Sequence, residues 1–213
     1  MYTVADLINL ILIITFVISV FTYKKYKNTP LKYFVYFLGY GIATEFLGRY
    51  FYDIFGFPNY ILYNIYALIQ FIYFLGLFLR SFKKRINKNT AKVFIVLCLV
   101  FFFINSFFYQ NILKNIQSYF FLFGGIILII TILLFLIELL NSDSILKIKN
   151  LLIFWVAVGM FLFQLGFIPV FMANNYINYT HGITYGLILL ILNVISCTCY
   201  ILGFIWSKKE VDY

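Results

Sequence analysis

The chain reads as an all-α, polytopic integral membrane protein, a single domain of seven transmembrane helices over residues 1–213. Three observations predict this. First, 64% of the residues are hydrophobic and 11% charged, whereas a soluble domain is about 45–50% apolar and about 25% charged. Second, the apolar residues come in runs near the ~20 residues needed to cross a bilayer. Third, lysine and arginine gather in alternate connections between those runs. The net charge of +9 would suggest a nucleic-acid partner in a soluble protein. Here it reads as a topological signal, with the lipid bilayer as partner and no nucleic acid.

Span 1 covers about 4–23. It has no basic leader and no small-residue cleavage site, and Lys24-Lys25-Tyr26-Lys27 follows it, so it reads as an anchor with its N-terminus outside. Asn28-Thr29-Pro30 makes the turn. Span 2, about 31–55, carries Glu45, Arg49 and Asp53. A spacing of four puts the three on one side of a helix, with Glu45 before Arg49 in the favourable order for an ion pair. Gly41 and Gly48 lie near that side and allow a neighbouring helix to approach. Gly56-Phe57-Pro58-Asn59 turns into span 3, about 60–79, where Tyr63, Tyr66, Ala67, Gln70 and Tyr73 share a side next to Asn64.

Span 4 runs about 91–109, and a polar connection follows over 111–117. Span 5, about 118–140, has Gly124, Thr131 and Glu138 at seven-residue intervals, a helix-packing seam. Glu138, near the helix end, is expected to reach lipid headgroups. Span 6 is about 151–172, with Pro169 kinking its last turn. A polar loop over 173–182 holds the lone histidine, His181. Span 7, about 183–206, puts Gly186, Asn193 and Tyr200 on one side. No additional soluble domain is expected.

Basic residues decide orientation. Lys24, Lys25, Lys27 and Lys32 flank the first connection; Arg80, Lys83, Lys84, Arg85, Lys88 and Lys92 flank the third. Lys147 and Lys149 lie in the fifth, and Lys208 and Lys209 in the tail. The opposite side has Lys114. An outside N-terminus and a cytoplasmic C-terminus satisfy this pattern with seven spans. The abundance of Phe, Ile, Tyr, Asn and Lys fits an AT-rich genome, hence a bacterial inner membrane.

Ionisable groups at membrane depth cost about 2.5–3.5 kcal/mol each on insertion scales and are read first as functional. At about 1.5 Å per residue, Glu45 lies roughly a dozen Å below the outer end of span 2. Asn64 is shallower and Gln70 deeper on span 3, Gln164 and Asn193 fall at comparable depth on spans 6 and 7, and Asp53 and His181 belong near the outer rim. The expected site is therefore an outward-facing polar chamber formed by Glu45, Arg49, Asp53, Asn64, Gln70, Gln164, His181 and Asn193. Each has a structural reading beside the functional one. Asn and Gln in membrane helices also bond across helices, typically for about 0.6 kcal/mol. Arg49 and Asp53 can snorkel to the interface.

Several chemistries lack their residues. One histidine and the dispersed cysteines Cys98, Cys197 and Cys199 supply no usual zinc set. There is no GxSxG elbow, no Walker A loop and no lysine at mid-depth of span 7 for a Schiff base. No cofactor is expected. Asn178-Tyr179-Thr180 is a glycosylation triplet.

Arg49-Tyr50, Asp53, Phe55 and Leu62-Tyr63-Asn64 resemble, with offsets, parts of the second and third spans of the KDEL receptors. Seven spans and an outside N-terminus are similar to the wider SWEET and KDEL-receptor group. The likeness covers a small part of the chain and lacks the group's Pro-Gln motif, so it assigns no family. The reading that follows is a transporter or receptor for a small molecule or ion, with Glu45 as a protonatable group. The alternative is a non-catalytic interaction subunit or multimeric pore, as a homo-oligomer or with a membrane partner. In that reading the basic segment 80–92 docks a cytoplasmic partner or anionic lipid.

Overall fold

Helices form wherever the apolar runs lie, because a backbone in lipid must satisfy its own hydrogen bonds. The computed structural model describes residues 4–176 and 182–208. It is all-α, with long helices α1 (Val4–Thr22), α2 (Phe34–Phe55), α3 (Tyr60–Ser81), α4 (Arg85–Ile104), α5 (Ser118–Leu140), α6 (Leu152–Tyr176) and α7 (Gly182–Trp206). Short 3-10 turns cover Tyr23–Lys25, Pro30–Tyr33 and Asp143–Asn150, and a π-turn at Asn105–Tyr109 ends α4. Helix α6 continues to Tyr176, into the stretch read from sequence as a loop, and Pro169 lies within it rather than in its last turn.

Six of these helices are long and apolar enough to cross a membrane, which points to an integral membrane protein. Helix α2, the one with Glu45, Arg49 and Asp53, is outside that set. Exposure supports the same reading. In α1 the buried residues are Asn9, Thr15 and Ser19, while Leu10, Val20 and Phe21 are exposed. A water-facing helix has the reverse pattern. Small and polar residues turned inward with aliphatic side chains turned outward suit a surround of lipid.

The chain divides into two compact units. One contains 1–39 and 139–213. There α7 packs against both α1 and α6. Glycines set the α6–α7 approach: a Cβ on Gly203 would come within 2.7 Å of Trp155 Cβ, and one on Gly159 within 3.0 Å of the Ser196 carbonyl. The rings of Tyr26, Phe34, Tyr200 and Phe204 cluster at one end, with Phe34 edge-on to Tyr200 at 5.2 Å. Lys25 Nζ donates to the carbonyls of Phe204 (2.9 Å) and Ile205 (3.1 Å). It thus places a cation on the unmatched carbonyls at the end of α7.

The other unit is 40–138. Its α3 buries Asn64, Ala67, Phe71, Phe74, Leu75 and Phe78, a helical stripe. Gly124 on α5 lies against the Phe71 ring, where a Cβ would come within 2.6 Å. Gly124, Thr131 and Glu138 are all buried, as the seven-residue spacing predicts. Phe78 meets Phe135 (5.2 Å), and Phe101 of α4 stacks on Phe123 of α5 (4.3 Å). Glycine is required at Gly56, whose φ of +73° turns the chain between α2 and α3.

Candidate functional site

Within the second unit, α2 meets α3 through glycines under tyrosines. A Cβ on Gly48 would press on the Tyr63 hydroxyl, and one on Gly41 would lie 3.3 Å from that of Tyr66. Tyr40 stacks on Tyr66 at 5.5 Å, and Asn59 Nδ2 donates to the Gly48 carbonyl at 2.9 Å. The absence of side chains at 41 and 48 makes room for the Tyr66 and Tyr63 rings of α3, and Glu45, between them, is half-buried. Glu45 shares its side of α2 with Gly48, over which the Tyr63 hydroxyl lies, and Arg49 follows it one turn on. Arg49 and Asp53, one and two turns on, are exposed. The side of α2 therefore runs from a half-buried acid to an exposed base and acid, with the Tyr63 hydroxyl beside the first. An acid in this setting can exchange a proton or take a cationic or hydrogen-bonding group.

Asn64 lies one residue from Tyr63 but faces elsewhere. It is fully buried, and its amide is committed to the α4–α5 connection. Nδ2 donates to the carbonyls of Ile112 (3.0 Å) and Asn115 (2.9 Å), and Oδ1 accepts from Gln117 N (3.0 Å). Gln70 is half-buried on α3.

No family model, curated protein or solved structure matches the chain.

The other residues expected at the chamber belong to the first unit. Gln164 is buried on α6. Asn193 is half-buried on α7, with Nδ2 donating to the Leu189 carbonyl of its own helix at 2.8 Å. His181 and the Asn178 triplet lie outside the described residues. Glu45 and Arg49 thus lie one turn apart on α2 with Tyr63 over the neighbouring Gly48, whereas Asn64 is tied to the 111–117 connection. Among the described residues, no three or more His, Cys, Asp or Glu side chains gather where a metal could be held.

Two polar groupings were not legible beforehand. Around Asn64, Gln117 Nε2 donates to Ser106 Oγ, and Gln110 joins Asn105 (3.2 Å) to Ser118 (2.8 Å). These residues border the π-turn, in which Gln110 N reaches back to the Asn105 carbonyl at 2.8 Å. At the far end of α5, Glu138 is buried rather than reaching headgroups, correcting the expectation from its position near a helix end. Its carboxylate accepts from the backbone N–H groups of Lys83 and Lys84 and from Asn87 Nδ2. The sequence held a signal for this: an acid on the apolar seam with Gly124 and Thr131.

Proposed function

We propose that the protein takes a small polar molecule or ion at Glu45, as a transporter or receptor. In this reading it is a seven-span protein of the bacterial inner membrane, with α2 as the least apolar span, an outside N-terminus and a cytoplasmic C-terminus. One observation carries the proposal: a carboxylate half-buried on α2, on the side where Gly48 lies under the Tyr63 hydroxyl and with Arg49 one turn on. An acid at membrane depth is costly enough that it is retained for a task. In the transport version Glu45 gains and loses the coupling proton. Arg49 holds it charged in one state and receives an anionic group of the substrate in another, while Tyr63 and Gln70 supply neutral hydrogen bonds.

The test uses the purified chain in liposomes loaded with a pH-sensitive dye. A panel of amino acids, carboxylates and sugars is added outside, and lumenal pH is recorded. At least one class should drive proton movement in the native chain, and Glu45→Gln should abolish it while eluting as the same folded species. Identical proton movement in the variant would overturn the coupling role.

The exposure of Arg49, Tyr50, Tyr52 and Asp53 on α2 favours a second reading. There the polar side of α2 joins another protomer or a membrane partner, as an interaction subunit or multimeric pore. Cross-linking from Asp53→Cys and native mass measurement distinguish it: a stable oligomer cross-linked through α2 supports this reading, and a monomer that moves protons supports the first. Ion leakage from liposomes marks the pore.

A further inference from the structure

The end of the second unit where α3 stops, α4 starts and α5 stops carries a groove that the Glu45 reading does not use. Its lining is Lys84, Arg85, Ile86 and Asn89 from the start of α4, with Leu134 and Ile137 from α5, around a volume of about 700 Å³. Lys83, Lys84, Arg85, Asn89 and Lys92 are exposed. The acid of the groove, Glu138, is turned to the backbone of Lys83 and Lys84 and to Asn87. It accepts from the two backbone N–H groups that lead into α4. The donors facing the groove are cationic or neutral.

Beyond these cations the walls are apolar. On α4 the side that begins at Ile86 continues through Val93, Val96 and Val100 at helical spacing, and on α5 Ile137 continues through Leu133, Ile130 and Ile126; all of these are exposed. The strip from Arg85 to Val100 is about 22 Å long at the helical rise, enough to cover the ~15 Å half-thickness of a hydrocarbon core. Both α4 and α5 are among the helices apolar enough to span. Cations and an amide at the head of exposed apolar faces on α4 and α5 match one chemistry: a phosphate carried on acyl chains.

We propose that this groove binds the phosphate headgroup of an anionic phospholipid, with Lys84, Arg85 and Asn89 as its donors and with the acyl chains along α4 and α5. Charge complementarity selects the headgroup, and the apolar continuation selects a lipid over an acidic protein.

The experiment uses the full chain, delipidated in detergent and titrated with phosphatidylglycerol, and bound lipid is counted by native mass spectrometry. Phosphatidylcholine and inorganic phosphate serve as parallel probes. Phosphatidylglycerol should be retained over phosphatidylcholine, and Lys84→Gln/Arg85→Gln should weaken it roughly tenfold or more, at several-fold per cation. Lys147→Gln/Lys149→Gln, which removes the same charge from exposed positions in the other unit, should change it by less than about twofold, because neither lysine lines the groove and the per-cation gain belongs to charges at the headgroup. Ile137→Gln should weaken lipid binding without changing the binding of inorganic phosphate. Equal losses in the two double variants would show a diffuse charge effect and overturn the site. Inorganic phosphate displacing the lipid with Ile137→Gln silent would make the groove a soluble-phosphate site and overturn the lipid assignment. Lipid binding untouched by Lys84→Gln/Arg85→Gln would leave the groove to another partner, such as an acidic protein, and overturn it too.

Discussion

The two ends of the α3–α5 group perform the same task with opposite chemistry. At one end Asn64 ties the 111–117 connection to α3. At the other, Glu138 ties the turn before α4 to α5. Along α3, Asn64 and Ser81 are about 26 Å apart at the helical rise, close to the ~30 Å of a hydrocarbon core. The difference follows from what each connection leaves unmatched. The 111–117 segment presents two carbonyls and one N–H to Asn64, and an amide answers both kinds. The turn into α4 presents N–H groups alone, as helix starts do, and a carboxylate, which only accepts, answers those. The amide end also holds two buried acceptors with no protein partner, Asn105 Oδ1 and Gln117 Oε1, whereas the Glu138 carboxylate has its donors in place.

That contrast can be tested by exchanging the chemistry. Glu138→Leu should have the largest effect. It strands the Lys83, Lys84 and Asn87 donors and should cost about 3 kcal/mol, since hydrogen bonds to a charged group contribute roughly 1.5–3 kcal/mol and orphaned donors add to that loss. Glu138→Gln should recover part of it, and thermal unfolding in detergent micelles measures both. A Glu138→Leu protein as stable as the native one would remove the carboxylate from its structural role.

Asn64→Leu should cost about 2 kcal/mol, because water can reach a loop more readily than a helix junction. Asn64→Asp should cost more than Asn64→Leu, since a carboxylate would face the carbonyls of Ile112 and Asn115. Hydrogen exchange of 111–117 should rise in both variants while the α3–α4 turn stays protected. Faster exchange at both ends would mean that the two ties are one cooperative unit.

The packing between the ties gives smaller effects of opposite sign. Gly124→Ala should destabilise by about 1 kcal/mol, as overpacking against Phe71 exceeds the gain in helix propensity. Gly76→Ala on α3, where a Cβ would meet nothing within 4 Å, should stabilise by roughly 0.5–1 kcal/mol. Chemical unfolding of the two variants side by side reads the difference. If Gly76→Ala is destabilising, that surface is covered in the working protein.

Much of the fold was legible because its causes are local. The runs that became α1, α3, α5 and α7 are long and apolar in sequence, and lipid leaves a backbone few alternatives to helix. The Gly124–Thr131–Glu138 seam showed in its spacing. The candidate site was legible only in part. Glu45 and Arg49 announced themselves as charges in an apolar run, but Asn64 looked the same whether it faced a ligand or a loop. Its partners lie about fifty residues away, and no periodicity reports them. Glu138 was misread for the same reason: Asn87 lies 51 positions off, and a helix end alone does not say which way an acid turns.

By itself, the sequence determined the solvent of this protein and the places where helices form, since both depend on transfer energies and spacing within single runs. Only the tertiary structure decided which polar groups are committed and which are not. A hydrogen bond needs two partners, and for Asn64 and Glu138 the second partner lies about fifty residues away along the chain.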